Sequence, residues 1–132
     1  MQDKIFIDTN IFVEISSRTG EKTIKSAELF KKSNLSLITT DVVICELEWI
    51  LRSYYKVSKT EITDYFKKIL SIPNLEITNR NIVETALDIF ISKSVDWVDA
   101  MSASYCQQQS ITKIYTYDKH FNKIKTLTRL EP

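Results

Sequence analysis

Five carboxylates stand where a carboxylate serves either as a local cap or as a ligand. Asp8 closes the apolar run at the start of "KIFIDTNIFVE", and Asp118 closes "KIYTY". Glu46 lies within "TTDVVICELEWIL", and Asp96 and Asp99 lie three apart in "SVDWVDAMSASYC". Each has an ordinary explanation. A strand-ending Asp suits a turn or a helix cap. Asp96 suits the N-cap of a helix beginning at Trp97, and Asp99 then sits in the first turn, where the helix dipole favours it. Glu46 is less easily placed. At about 100° per residue it stands about 40° from Ile50 and about 60° from Val43, at the border of an apolar stripe. Positions 42, 43, 49 and 50 are all apolar, so no Lys or Arg lies one turn away. Glu48 points away from that stripe and has Arg52 at i+4, which predicts a surface pair.

The set explains more than its members do. A strand-end Asp, a helix-border Glu, a helix-start Asp and a second strand-end Asp repel one another when brought into one site. At ~5 Å and an effective dielectric of about 20, each pair costs roughly 3 kcal/mol. A divalent cation removes that cost. Oxygen ligands without Cys or His favour Mg²⁺ or Mn²⁺. Such a site suits metal-activated water attacking a phosphodiester.

Composition narrows the alternatives. The chain has 132 residues, 43% hydrophobic and 27% charged, which fits one soluble domain spanning residues 1–132. The net charge of +1 gives no bulk attraction for nucleic acid, so any such contact must be local. One glycine, Gly20, excludes glycine-rich phosphate loops, and one histidine, His120, excludes His-rich zinc sites. No apolar run approaches the ~18 residues of a membrane span. Asp3 and Lys4, followed by a short apolar run, do not make a signal peptide. Cys45 and Cys106 have no metal-binding spacing and read as small core residues of a cytoplasmic protein.

The elements that must position the acids alternate in type. Residues 4–8 form an unbroken apolar run, expected to be a buried strand. Helices are predicted over 10–17 and 21–33, the second with Ile24, Ala27, Leu29 and Phe30 inward. A strand over 35–39 leads into a helix from Thr40 or Asp41 to about Tyr55, with Val43, Leu47, Ile50, Leu51 and Tyr54 as its stripe. Ser58 and Glu61 form a capping box opening a helix to about Ser71, stopped by Pro73. A strand at 75–77, helices at 80–92 and 97–109, and strands at 113–117 and 125–130 complete the chain. This alternation predicts an α/β fold of three layers, α/β/α, around a central, mainly parallel sheet. In such folds sites form beyond the carboxyl ends of the strands, where Asp8 and Asp118 fall.

Taken in order, these stretches resemble the PIN-domain ribonucleases, and by size the VapC-type toxins of toxin–antitoxin pairs. "FIDTNIFVE" resembles the first family motif, with Asp8 as metal ligand. "TTDVVICELEWIL" resembles the second, with Glu46. "VDWVDAMSASYC" resembles the third, with Asp99 the closer match to the invariant acid and Asp96 accessory; Trp97 stands where Phe or another apolar residue is usual. "IYTYDKHFNKI" resembles the fourth, with Thr116 and Asp118. The resemblance implies an endoribonuclease dependent on Mg²⁺ or Mn²⁺, a cognate antitoxin and a homodimer. Asp8, Glu46, Asp99 and Asp118 are its expected catalytic residues, with Asp96 as a further metal ligand. Asn10 and Thr116 are expected to orient ligands or water.

RNA contact is expected from residues 113–132, which hold Lys113, Lys119, Lys123, Lys125 and Arg129. Lys119, Lys123 and Lys125 are the candidates, against the alternative of a solvated face. Tyr115 and Tyr117 suit either base stacking or the core. An aspartate-nucleophile phosphatase needs a second Asp two residues after the first, where this chain has Asn10. A receiver domain needs an Asp ending a middle strand, and neither "LSLIT" nor "LEI" has one. A processing nuclease outside a toxin system, or a non-catalytic binding module, remains the alternative to a toxin.

Overall fold

The computed structural model describes residues 3–132. The chain divides into two compact units, Met1–Arg80 and Asn81–Pro132.

The first unit follows the expected alternation. Strand β1 (Lys4–Phe6) leads through helices α1 (Thr9–Ser17) and α2 (Glu21–Leu29) to β2 (Ser36–Thr39). Helices α3 (Asp41–Ser53) and α4 (Lys59–Leu70) then lead to β3 (Leu75–Ile77). The three strands form a parallel sheet in the order β1-β2-β3, with Ile5 opposite Leu37 and Ile38 opposite Glu76. Parallel neighbours need long crossovers, and the helix pairs supply them. Thr40 caps α3 by accepting the Val43 N–H, and Ser58 caps α4 by accepting that of Glu61. These caps satisfy donors that the first turn of a helix leaves open. Asn79 takes a positive φ of 56° after β3, which Asn tolerates better than most residues. From there its amide donates to Asp41 at the start of α3, 3.1 Å away.

Leu37, Ile44, Leu47, Leu51, Ile62 and Phe66 are among the fully buried side chains. Phe12 of α1 stacks on Phe30 at 5.6 Å, just past α2. Three expectations are corrected here. The "KIFI" run is not a buried strand. β1 is the edge of its sheet, Ile5 and Phe6 are exposed, and only Ile7 is buried. Helix α2 ends at Leu29 rather than Ser33, and Ile24 faces solvent. On α3 the buried face is Val43, Ile44, Leu47, Glu48 and Leu51. Tyr54 falls at the C-cap, beyond the last helical turn, and is 75% exposed.

Glu48 is therefore a core residue, 2% exposed, and not half of a surface pair. Its Oε2 accepts the Arg52 Nε–H at 2.8 Å. The i+4 spacing was legible, but depth is not encoded in spacing.

The second unit contains α5 (from Arg80 to Ser92), α6 (Trp97–Gln108), β4 (Lys113–Tyr115), a 3-10 helix (Lys119–Lys123) and β5 (Thr128–Leu130). β4 and β5 pair in parallel, with Ile114 opposite Arg129. Phe90 of α5 meets Trp97 of α6 edge-on at 5.5 Å. The run of small residues in α6 lets α5 approach closely. Ala100, Ala103 and Ser104 are buried, and the Ser104 hydroxyl donates to the Ile82 carbonyl of α5 at 2.6 Å. Tyr115 and Tyr117 are exposed rather than core. Cys45 and Cys106 are half-buried and form no disulfide.

Candidate functional site

In the first unit the backbone before Asp8 is fixed from two sides. The Ile7 N–H donates to the Ile38 carbonyl at 2.8 Å, and the fully buried Thr39 hydroxyl donates to the Ile7 carbonyl at 2.9 Å. Ile7 and Thr9 are both 3% exposed, so they anchor the chain on either side of an exposed Asp8. Asp8 is also the N-cap of α1, its Oδ1 accepting the Thr9 N–H at 2.7 Å. Cap and strand-end carboxylate are thus one residue. The cap bond orients the group that the strand delivers.

Asp8, Thr9 and Asn10 line a cleft of about 610 Å³ together with Glu46, Trp49, Ile50 and Ser53 of α3. The spacing i, i+3, i+4, i+7 is one stripe of a helix. It is the stripe beside the buried face, which is where the helical wheel puts Glu46. The structure accordingly brings Asp8, Asn10 and Glu46 to one concavity. Arg18, Tyr54 and Tyr55 close its other end.

The second unit gathers Asp96, Asp99 and Asp118. Asp96 is the N-cap of α6, but its side chain makes no capping hydrogen bond. The expectation that capping accounts for Asp96 is corrected: only its carbonyl works for the helix, accepting the Ala100 N–H at 2.9 Å. Asp99, in the first turn, has its carboxyl pKa raised above the ordinary value by burial, then by the negative charges of Asp118 and Asp96. Asp118 has its carboxyl held below the ordinary value, chiefly because it accepts the backbone N–H of His120. Its Oδ1 takes that N–H at 2.9 Å and the His120 Nδ1 at 2.8 Å. The two acids are pushed in opposite directions by environment, a pattern typical of functional carboxylates.

Thr116 acts on Asp118 through the backbone, its hydroxyl accepting the Asp118 N–H at 3.0 Å. His120 is the one histidine of the sequence, and its place two residues after Asp118 is the signal that marks it. Of the basic candidates, Lys119 and Lys125 are exposed. The Lys123 ammonium donates to the Ser94 carbonyl at 3.0 Å, which ties down the 3-10 helix.

Among the described residues no group of three or more Asp, Glu, His or Cys side chains stands ready-made as a cation cage. The donor chemistry is nonetheless that of a hard divalent cation. The acids offer oxygen only, and Asp99 is destabilised as an anion by burial and then by its acidic neighbours, a penalty that a cation offsets.

The PIN domain model matches residues 5–127, running through both units. The chain belongs to the PIN-domain family, and that membership supports a nuclease. No curated protein matches the chain. Among solved structures, the chain is similar to the Mycobacterium tuberculosis toxin VapC20, described as cleaving the sarcin-ricin loop. The two are 15% identical with a TM-score of 0.42, over 98% of this chain and 100% of that one. Placement in the family rests on the domain match.

Proposed function

We propose that this protein is an endoribonuclease dependent on Mg²⁺ or Mn²⁺ and serves as the toxin of a toxin–antitoxin pair. The observation that carries the nuclease reading is the pairing of family membership with acids that have little local work to do. Glu46 is exposed on the cleft stripe, Asp96 makes no cap bond, and the Asp99 pKa is raised by burial and then by its acidic neighbours. Asp8, Glu46, Asp99 and Asp118 are the proposed catalytic set, with Asp96 as a further ligand. When bound, the cation supplies an activated water and neutralises charge building on the phosphate.

The chain's own residues orient that chemistry. The Thr9 N–H fixes Asp8, Thr116 fixes the Asp118 backbone, and His120 holds Asp118 ionised. Asn10, exposed beside Asp8, is placed to orient a water or a phosphate oxygen. The partners in this reading are RNA, an antitoxin and a second copy of the chain, in the cytoplasm. Among the described residues no helix is long and apolar enough to cross a membrane.

Purified protein is expected to cut RNA with Mg²⁺ or Mn²⁺, to stop with EDTA, and to lose activity in Asp8→Asn with the fold retained. Full cleavage in EDTA overturns the metal-dependent reading. Expression of the wild type alone is expected to arrest growth while Asp8→Asn does not. A harmless wild type that still cuts RNA assigns the chain to RNA processing.

A further inference from the structure

The cleft that holds Asp8 and Glu46 extends well past them. Its far end is built from Trp49, Tyr54, Tyr55 and Arg18. Trp49 is 59% exposed and Tyr54 is 75% exposed, an arrangement that burial cannot explain. Surface aromatics scattered singly need no account. Here three line one cleft, and two are in mutual contact. The Tyr54 and Tyr55 rings meet edge-on at 4.8 Å, which fixes their planes. The Tyr55 hydroxyl accepts the Arg18 Nε–H at 3.2 Å, so the guanidinium is held beside the rings. Arg18 Nη1 also lies 3.8 Å from Glu14, a distance too long for a strong bond. The remaining N–H groups of a guanidinium so placed suit a phosphate oxygen.

We propose that Trp49, Tyr54 and Tyr55 form a stacking shelf for an unpaired base of the RNA, with Arg18 contacting its phosphate. This rests on the nuclease reading above and deepens it: the substrate class at this site is single-stranded RNA, or a loop from which a base can turn outward. The charge layout favours a nucleotide over a peptide. One end of the cleft is acidic and the other carries a guanidinium, with flat aromatic faces between them. A nucleotide offers a flat ring and an anion together, to match rings that hold a guanidinium beside them. An apolar helix would need a wall of aliphatic side chains, but here only Val13 and Ile50 are aliphatic. Base stacking on an aromatic tolerates any sequence, because every base has a π-face. Duplex RNA keeps its bases stacked internally and cannot use such a shelf.

The two tryptophans make the test direct. Trp97 is 1% exposed and cannot stack on RNA, whereas Trp49 can. A single-stranded decaribonucleotide is titrated into full-length protein in EDTA, where cleavage is not needed for a signal, and intrinsic fluorescence is followed. Quenching is expected with the single strand, not with a blunt duplex of the same length, and not in Trp49→Leu. In cleavage assays the Trp49→Ala and Tyr54→Ala variants are each expected to raise KM about tenfold with kcat within about twofold, and Trp49→Phe to restore KM. Melting temperatures near wild type check that the exposed substitutions leave the fold intact.

Unchanged KM in an active Trp49→Ala variant overturns the shelf and leaves the nuclease reading standing. Quenching by single strands in a protein that never cuts RNA overturns the nuclease reading and leaves the shelf. Wild-type RNA affinity in Trp49→Ala, with loss only of antitoxin binding, assigns the surface to a protein partner and overturns the proposal.

Discussion

Asp99 is a carboxylate held as an anion against its surroundings. Burial raises its pKa first, and Asp118 and Asp96 add to it. A folded-state pKa above the unfolded value means that the native protein binds the proton more tightly. The stabilisation this gives is complete below the ordinary carboxylate value of 3.8 and is lost as pH rises through the raised one. Without metal, the charged form of Asp99 is therefore the one that the fold disfavours. Asp118 runs the other way: held low by His120, it contributes stability above its ordinary value and loses it as pH falls through the folded value. Asp99→Asn is expected to abolish RNA cleavage and raise the metal-free melting temperature at pH 7. Asp96→Ala is expected to leave measurable activity and a nearly unchanged melting temperature, because its side chain makes no cap bond. Both variants are assayed on one RNA at saturating Mn²⁺, with thermal melts alongside. A dead Asp96→Ala beside an active Asp99→Asn moves the invariant acid of the third motif to position 96.

Helix α3 shows what its sequence disclosed and what it hid. The 3.6-residue period placed a helix over nearly the right span and put Glu46 at the edge of the stripe. The structure carries both, with α3 over Asp41–Ser53 and Glu46 in the cleft. The period did not give the width of the buried face, which takes in Ile44 and Glu48, because width depends on what packs from α1 and α4. An i, i+4 Glu–Arg pair has the same spacing at any depth. Sheet edges were hidden for a related reason. β1 reads as buried from its composition, yet strand order makes it an edge. The placement of Asp8 and Glu46 in the cleft was legible because strand-end and stripe-border positions are set by local period. The Arg18–Tyr55 contact spans 37 residues and left no local signal. Glu48 yields a prediction at this scale. Arg52→Ala removes the N–H donors from a buried carboxylate and is expected to cost about 1–3 kcal/mol. Glu48→Gln, with no charge to compensate, is expected to cost less. Urea midpoints of the two variants give the order; neither residue lines the cleft, so KM should be unchanged in both. A surface-like loss in Arg52→Ala, within about 0.5 kcal/mol, would mean that Glu48 finds water.

For the whole molecule the deciding quantity is its charge. Lys and Arg number 18 and Asp and Glu 17, so no long-range field draws a polyanion to it. The proposed carboxylates make the site itself locally negative until a cation binds. RNA affinity must then come from a few fixed cations and from stacking. Arg18 is beside the shelf, Lys119 and Lys125 are exposed, and Lys123 is engaged with Ser94. Each phosphate neutralised on a single strand contributes about −0.7 to the slope of log K against log salt. Two or three such contacts predict a slope between about −1.4 and −2.1, well short of what a strongly basic nucleic-acid binder shows. Stacking does not depend on salt in this way, so the affinity that survives high salt should be the part that Trp49 and Tyr54 supply. Binding of the single-stranded decamer, followed by fluorescence anisotropy from low to high KCl in EDTA, where the RNA stays intact, measures both. Arg18→Gln is expected to flatten the slope by about 0.7, while Trp49→Ala lowers affinity by the same factor at every salt concentration. A steep slope that Arg18→Gln leaves unchanged would place the RNA on the lysines of the second unit instead of on the shelf.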